Sequence, residues 1–234
     1  MISEIVSVLC GKDGPDLAGV PVHDLYDNRA NRKSPCECYQ ALLDHCISDV
    51  IIYVHDDVTI HDPDWLKRVT HTFAVNLDCV AVGLGGALTL GRRDLYRKPY
   101  DIWAMARGNY ASNQTDAEVH GARFNGTRRV AVLDAFFMAI RTDWLRRLGN
   151  GGWPVEHLTH HCLDLWLACE AARDQKEIWM TGIDCTHHGG GSSAGRSYPT
   201  ARWLQGGTMQ SDHQIPHRWL YEEYRDVLPV EVGE

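Results

Sequence analysis

Short apolar runs alternate with segments of helical spacing along most of the chain. Glu4 to Cys10 (EIVSVLC) predicts a strand that ends in a Gly, Asp and Pro turn, and Val20 to Tyr26 (VPVHDLY) predicts a second. Ser34-Pro35-Cys36-Glu37 has the form of a capping box with proline at the first helical position. Cys38, Ala41, Leu42, His45 and Cys46 then recur with helical spacing. Val50 to Val54 (VIIYV) is β-branched and lacks polar alternation, which is how a strand buried on both faces of a parallel sheet reads. The first third is therefore βαβ-like. Asp62-Pro63 starts another helix with Trp65, Leu66, Val69 and Phe73 on one face, and Cys79 to Leu84 (CVAVGL) supplies a further buried strand.

From Gly85 to Thr127 no period is sustained, which predicts an irregular excursion that carries binding function rather than core. Val130 to Ile140 (VAVLDAFFMAI) predicts one or two strands around Asp134. Thr142 to Leu148 predicts a short helix stopped by Gly149, and His161 to Arg173 a longer helix. Glu177 to Thr186 reads as a last strand and Pro216 to Tyr224 as a closing amphipathic helix. Between them, Gly189 to Gly207 is rich in Gly, Ser and Arg and is expected to be mobile. The sequence contains no internal repeat.

Composition narrows the class. With 234 residues, 44% hydrophobic and 23% charged, the chain has the makings of one soluble globular domain with a real core, and disorder, collagen and coiled coil are excluded. The apolar runs fall far short of the roughly 20 residues that cross a bilayer, and no basic region precedes a long apolar stretch at the amino terminus. A cytoplasmic location is expected. The eight cysteines are scattered through a chain too long to need staples, so they are expected to be reduced; Cys36 and Cys38 form a CxC, not a CxxC. A net charge of -8 argues against a protein that wraps nucleic acid, but it hides an asymmetry. Gly91 to Asn150 carries 11 Lys and Arg against 6 Asp and Glu, or +5, and the remainder is -13. The middle of the chain either faces something anionic or is a solvated basic surface.

Candidate chemistry follows the strands. In Tyr53-Val54-His55-Asp56-Asp57-Val58 an imidazole and two carboxylates directly follow a buried strand, at the end where open α/β sheets bind ligands. Adjacent carboxylates repel unless a cation or donor compensates, so these residues either hold a divalent metal or form a solvated turn. Cys185-Thr186-His187-His188-Gly189-Gly190-Gly191-Ser192 also follows a strand, and an imidazole there either completes a shell with Asp57 or belongs to an ordinary loop. Asp134 lies before Ala135-Phe136-Phe137, and Asp164 opens a helix. Two such acids suit binding and deprotonation of an acceptor hydroxyl; capping or surface roles are the alternative.

In order and spacing, these segments resemble the nucleotide-sugar glycosyltransferases of family 2. The likeness runs through the opening strand, Leu25-Tyr26-Asp27-Asn28, Ser34 to Ala41, His55-Asp56-Asp57, Leu133 to Ala139, the helix at Asp164 and the His-His-Gly-Gly-Gly-Ser segment. The resemblance implies a single GT-A-like α/β domain, Rossmann-like with a mostly parallel central sheet. Residues 1–90 would be its nucleotide-sugar half, 91–129 a basic excursion, 130–188 the acceptor and catalytic half, and 189–234 a lid and closing helix. It implies a DxD-like element in which Asp57 touches Mn²⁺ or Mg²⁺ and Asp56 lies near the ribose. Asp27 or Asn28 would contact the base, and His187 would join the metal shell. The donor would be a nucleotide diphosphate sugar such as UDP-glucose, transferred with inversion to a hydroxyl on a glycan, a small molecule or modified DNA.

Where relatives often carry an acidic pair flanking one residue at the catalytic helix, this chain has Cys162-Leu163-Asp164, and a cysteine is a poor base at neutral pH. Asp164 is therefore the candidate base, with Asp134 next. Arg196 or Arg202 is expected to reach the diphosphate as the glycine-rich lid closes. Arg92, Arg93, Arg97, Lys98, Arg123, Arg128 and Arg129 would meet a polyanionic acceptor. Other classes compatible with the pattern are a metal-dependent nucleotidyltransferase or hydrolase and a non-catalytic sugar-nucleotide-binding protein.

Overall fold

In the structure, a computed structural model, residues 1–11, 13–31, 33–91, 111–112, 123–149, 151–158, 161–188 and 209–233 are described. The amino-terminal half comprises β1 (Ser3–Leu9), β2 (Asp24–Asp27), α1 (Pro35–His45), β3 (Val50–His55), β4 (Val58–Ile60), α2 (Trp65–Val75), β5 (Cys79–Gly83), β6 (Gly85–Ala87) and β7 (Thr89–Leu90). After β8 (Ala111–Ser112) come β9 (Thr127–Val130), β10 (Val132–Leu133), β11 (Phe137–Arg141), α3 (Thr142–Arg147), α4 (Leu163–Arg173), β12 (Glu177–Thr181) and β13 (Cys185–His187). The chain closes with α5 (Met209–Glu223) and β14 (Val230–Glu231).

The main sheet has the order β2-β1-β3-β11-β5-β12-β9. β1 pairs parallel with β2 and β3, and β12 with β5, while β11 runs antiparallel between β3 and β5 and β9 antiparallel at the edge. Five of the seven strands thus point the same way, the mostly parallel α/β sheet expected. The unbroken apolar run of β3 has the predicted cause: Ile51 and Tyr53 enter one core, and Val50, Ile52 and Val54 the other. The first core lies under α1 and α4, and the second packs Trp65, Val69 and Phe73 of α2 against Val58, Ile60 and Cys185. Among the described residues no helix is long and apolar enough to cross a membrane.

The capping box is present as the sequence predicts. The Ser34 hydroxyl accepts from the Glu37 N–H, and the Glu37 carboxylate accepts from the Ser34 N–H at 2.9 Å. Ser34→Ala is expected to cost about 1 kcal/mol, read as a lower denaturant midpoint at unchanged slope; an unchanged midpoint would remove the cap from the stability of α1.

Other expectations are corrected. Glu177 to Thr186 is not one strand: the chain leaves the main sheet at Gly182, where a Cβ would collide with the Phe124 carbonyl, and resumes as β13 against β4. The excursion does not start at Gly85, because β6 and β7 are core strands; a Cβ on Gly86 would press on the Val132 carbonyl across the β6–β10 pair. The second helix begins at Trp65, two residues after Pro63; Asp62 accepts from the Asp64 N–H through Oδ1 at 2.9 Å and pairs with Arg68 through Oδ2. All eight cysteines are free, as expected; burial pushes the thiols of Cys79 and Cys185 up to about 12.

Candidate active site

The carboxyl ends of β1, β2, β3, β5 and β12 meet at one edge of the sheet, and the reversed strand β11 starts there. The sequence-predicted site residues within the described chain stand at the ends of strands, in the loops that follow them or at a helix start. β3 delivers three of them in succession. His55 is fixed by its N–H donating to the Phe136 carbonyl at 3.0 Å, and Asp57 by its carbonyl accepting from the His188 N–H at 2.9 Å. Asp56 turns the other way, and its Oδ2 accepts from the N–H groups of Cys10 at 2.7 Å and Gly11 at 3.0 Å, bracing the end of β1.

β13 brings the fourth residue. His187 lies opposite Val58, with its Nε2 3.3 Å from Asp57 Oδ1 and its ring stacked on Phe136 at 5.0 Å. The His55 ring meets it edge-on at 5.4 Å. The potential ligand atoms of His55, Asp57 and His187 all lie within 4.8 Å of one another. His188 is not part of this group, since its Nε2 contacts Thr59 Oγ1 at 3.2 Å.

The electrostatics suit a cation. Burial, reinforced by His187, pushes the His55 pKa down, which keeps its ring nitrogen available as a ligand. Burial alone would raise Asp57, but the hydrogen bond and charge of His187 outweigh it and hold the carboxyl low. Two imidazoles and a carboxylate form a donor set for a divalent transition metal. The sequence reading named Asp57 and His187 for the shell without His55, although its spacing of two from Asp57 was a usable signal that the three belong together.

The acid pair enters from the other half. Asp134 ends the β10 segment, with its N–H on the Gly85 carbonyl at 3.0 Å, and Asp164 lies in the first turn of α4. Asp164 keeps part of its surface open, yet the mass of protein around it raises its carboxyl to about 7. Burial is the largest cause, and the Asp134 charge adds to it against N–H donors that include Leu165 at 2.9 Å and Ala135. The helix start itself is unusual, because Cys162 at the N-cap is buried with φ +73° and its side chain makes no cap hydrogen bond.

A rigid aromatic floor joins the two halves. Tyr39 of α1 stacks on Tyr53 of β3 at 4.4 Å, and Trp153 Nε1 donates to the Tyr53 hydroxyl at 3.1 Å while its ring meets Trp166 of α4 at 5.3 Å. Burial pushes the Tyr39 phenol up, with smaller contributions from Cys38, Asp56, Asp164 and Asp57, so acids from both halves converge on this ring.

At the end of β2 the two base-contact candidates differ. Asn28 is buried and spends its amide on Lys33, donating to the carbonyl and accepting from the N–H, both at 2.8 Å. Asp27 is exposed, and Arg29 at 2.7 Å holds its carboxyl at about 2. Arg128 and Arg129 are neighbours on β9 and so face opposite sides of the sheet, with Arg129 paired to Glu177 at 3.3 Å. Arg196, Arg202 and the lid, like Arg92, Arg93, Arg97 and Lys98, lie outside the described residues.

A glycosyltransferase-like family matches residues 26–183, more than half of the chain, and the protein belongs to this family. The match spans Asp27, His55 to Asp57, Asp134 and Asp164, and stops short of His187. The chain is a glycosyltransferase with the α/β architecture expected of the GT-A class. Several solved structures are similar to it, including these two. A197 from STIV is 13% identical, over 81% of this chain and 87% of that one, with a TM-score of 0.47. The mannosyltransferase PcManGT from Pyrobaculum calidifontis, in complex with GDP-Man and Mn2+, is 12% identical over 97% of this chain and 71% of that one, with a TM-score of 0.47. No curated protein matches the chain.

Proposed function

We propose that the protein transfers a sugar from a nucleotide diphosphate sugar to an acceptor hydroxyl with inversion, using a divalent cation. The observation that carries this reading is the convergence, at one sheet edge, of the His55, Asp57 and His187 cluster with a carboxyl at Asp164 poised near neutrality.

His55, Asp57 and His187 would hold the cation, which when bound supplies positive charge to a departing diphosphate. Asp56 braces the loop after β1, through Cys10 and Gly11, against which the nucleotide would rest. Asp27 offers a carboxylate acceptor for an N–H of the base. Asn28 serves as a positioning residue that closes the turn to Lys33. In the other half Asp164 removes the proton of the acceptor hydroxyl as that oxygen attacks the anomeric carbon. A pKa near 7 leaves it both substantially ionised and basic enough to act. Asp134 helps bind the acceptor hydroxyl, and its charge keeps Asp164 basic.

Incubation of the protein with a panel of UDP- and GDP-sugars and Mn²⁺ tests this. The expected products are free nucleoside diphosphate and a glycoside of inverted anomeric configuration, read by NMR. Release of nucleoside monophosphate would indicate nucleotidyl transfer or hydrolysis instead, and nucleotide binding without turnover over a broad acceptor panel would overturn catalysis.

A further inference from the structure

A half-open polar surface pocket of about 270 Å³ lies at the end of the β4–β13 ribbon away from the histidine–aspartate cluster, lined by His61, Asp62, Arg68, Asn125, Gly182 and Asp184, of which His61, Asn125 and Asp184 are exposed. None of these residues belongs to the histidine–aspartate cluster or to the acid pair. Its wall is held in place from several elements. Arg68 of α2 donates to Asp62 at 2.5 Å and to the Gly182 carbonyl at 2.7 Å, and His61 contacts Thr186 Oγ1 through Nε2 at 2.8 Å.

Polar capacity is left over. Among the described residues, the Asp184 carboxylate, the Asn125 amide and the second ring nitrogen of His61 have no hydrogen-bond partner, and Arg68 keeps N–H groups beyond the two already used. An acceptor-only carboxylate, an amide that donates and accepts, and a donor-only guanidinium together match neighbouring hydroxyls, each of which does both. Asp62 and Arg68 cancel in charge, so Asp184 leaves the wall negative, which disfavours a phosphate or carboxylate ligand. The volume falls just below the roughly 300–1,000 Å³ of sites for larger ligands, which suits a single ring.

The β4–β13 ribbon links this cavity to the centre of the site. Asp57 and His187 stand at one end of it and His61 and Asp184 at the other. The ends are four residues apart along β4 and three along β13, about 10 to 13 Å, a distance that a short oligosaccharide bridges.

We propose that this cavity is a carbohydrate subsite that holds one neutral sugar ring of the acceptor, which makes the acceptor a glycan. The inference rests on the transferase reading above and names the substrate class for it.

Labelled wild-type protein, with Mn²⁺ and UDP or GDP, is applied to an array of neutral and anionic glycans, and the glycans retained are titrated in solution. Asp184→Ala with Asn125→Ala, and separately Asp184→Asn, are expected to weaken neutral-glycan binding by at least about tenfold, as loss of a hydrogen bond to a charged acceptor does. Nucleotide affinity and melting temperature should not change. Unchanged glycan affinity in a folded variant, retention of sulfated or phosphorylated glycans alone, or retention of none by a protein that binds nucleotide each overturns the subsite. Failure of the wild type to bind either nucleotide would sink the donor reading instead.

Discussion

Asp164→Asn is expected to lower turnover by about 10²- to 10⁴-fold, the usual cost of a lost general base, while nucleotide affinity stays at the wild-type level. The amide keeps the size of the side chain and its place in the first turn of α4, but it cannot take a proton. In the wild type, the rate should rise with pH through a limb centred near 7, where Asp164 ionises, and the variant should lack that limb. Stability gives a second readout with a definite sign. The folded pKa lies above the ordinary carboxylate value of about 3.9, so the folded state binds the proton more tightly and loses stability as pH rises from about 4 to about 7. At pH 8 the wild type bears the full burden of a buried charge, and the variant should melt higher; at pH 4 the two should melt alike. A fall in turnover of less than threefold would move the base to Asp134.

The second large effect is on cation binding. Even partners outside a metal shell are worth about 10- to 100-fold in affinity, so Asp57→Ala should weaken Mn²⁺ binding by about 100-fold or more and abolish metal-dependent nucleotide binding. Calorimetry with Mn²⁺ alone and then with UDP or GDP reads both. His55→Ala and His187→Ala should behave in the same way, whereas His188→Ala should bind Mn²⁺ normally because its ring is engaged with Thr59. Unchanged Mn²⁺ affinity in Asp57→Ala would remove that residue from the shell. Loss in His188→Ala equal to that in His187→Ala would point to the wrong member of the pair.

Features carried by local chemistry were legible in the sequence. The Ser34 box announced α1, and the unbroken run Val50 to Val54 announced a strand covered on both faces. Features fixed by distant contacts were not. Where Glu177 to Thr186 leaves the sheet, the carbonyl of Phe124 lies so near Gly182 that no Cβ fits, a contact that no periodicity in the segment records. The reversed insertion of β11 between β3 and β5 is likewise a matter of tertiary pairing, since its residues are apolar in either direction. In the site, the paired acids drew notice to Asp56 and Asp57 alike, although one braces a loop and the other faces the imidazoles. The resemblance offered Asp27 or Asn28 for the base alike, because the burial that separates them is not visible in the sequence.

The departure of β13 from the main sheet has a bearing on synthesis. All seven strands of that sheet are in hand once Thr181 has been made, but His187 is not. A nascent chain at that stage holds every strand of the main sheet and still lacks the third member of the cluster, together with core residues such as Cys185 and Leu220, because chains emerge amino end first. The trio is therefore completed only by a late segment returning to β4. Competence to bind the cation would then lag behind synthesis of the sheet that carries the other two members.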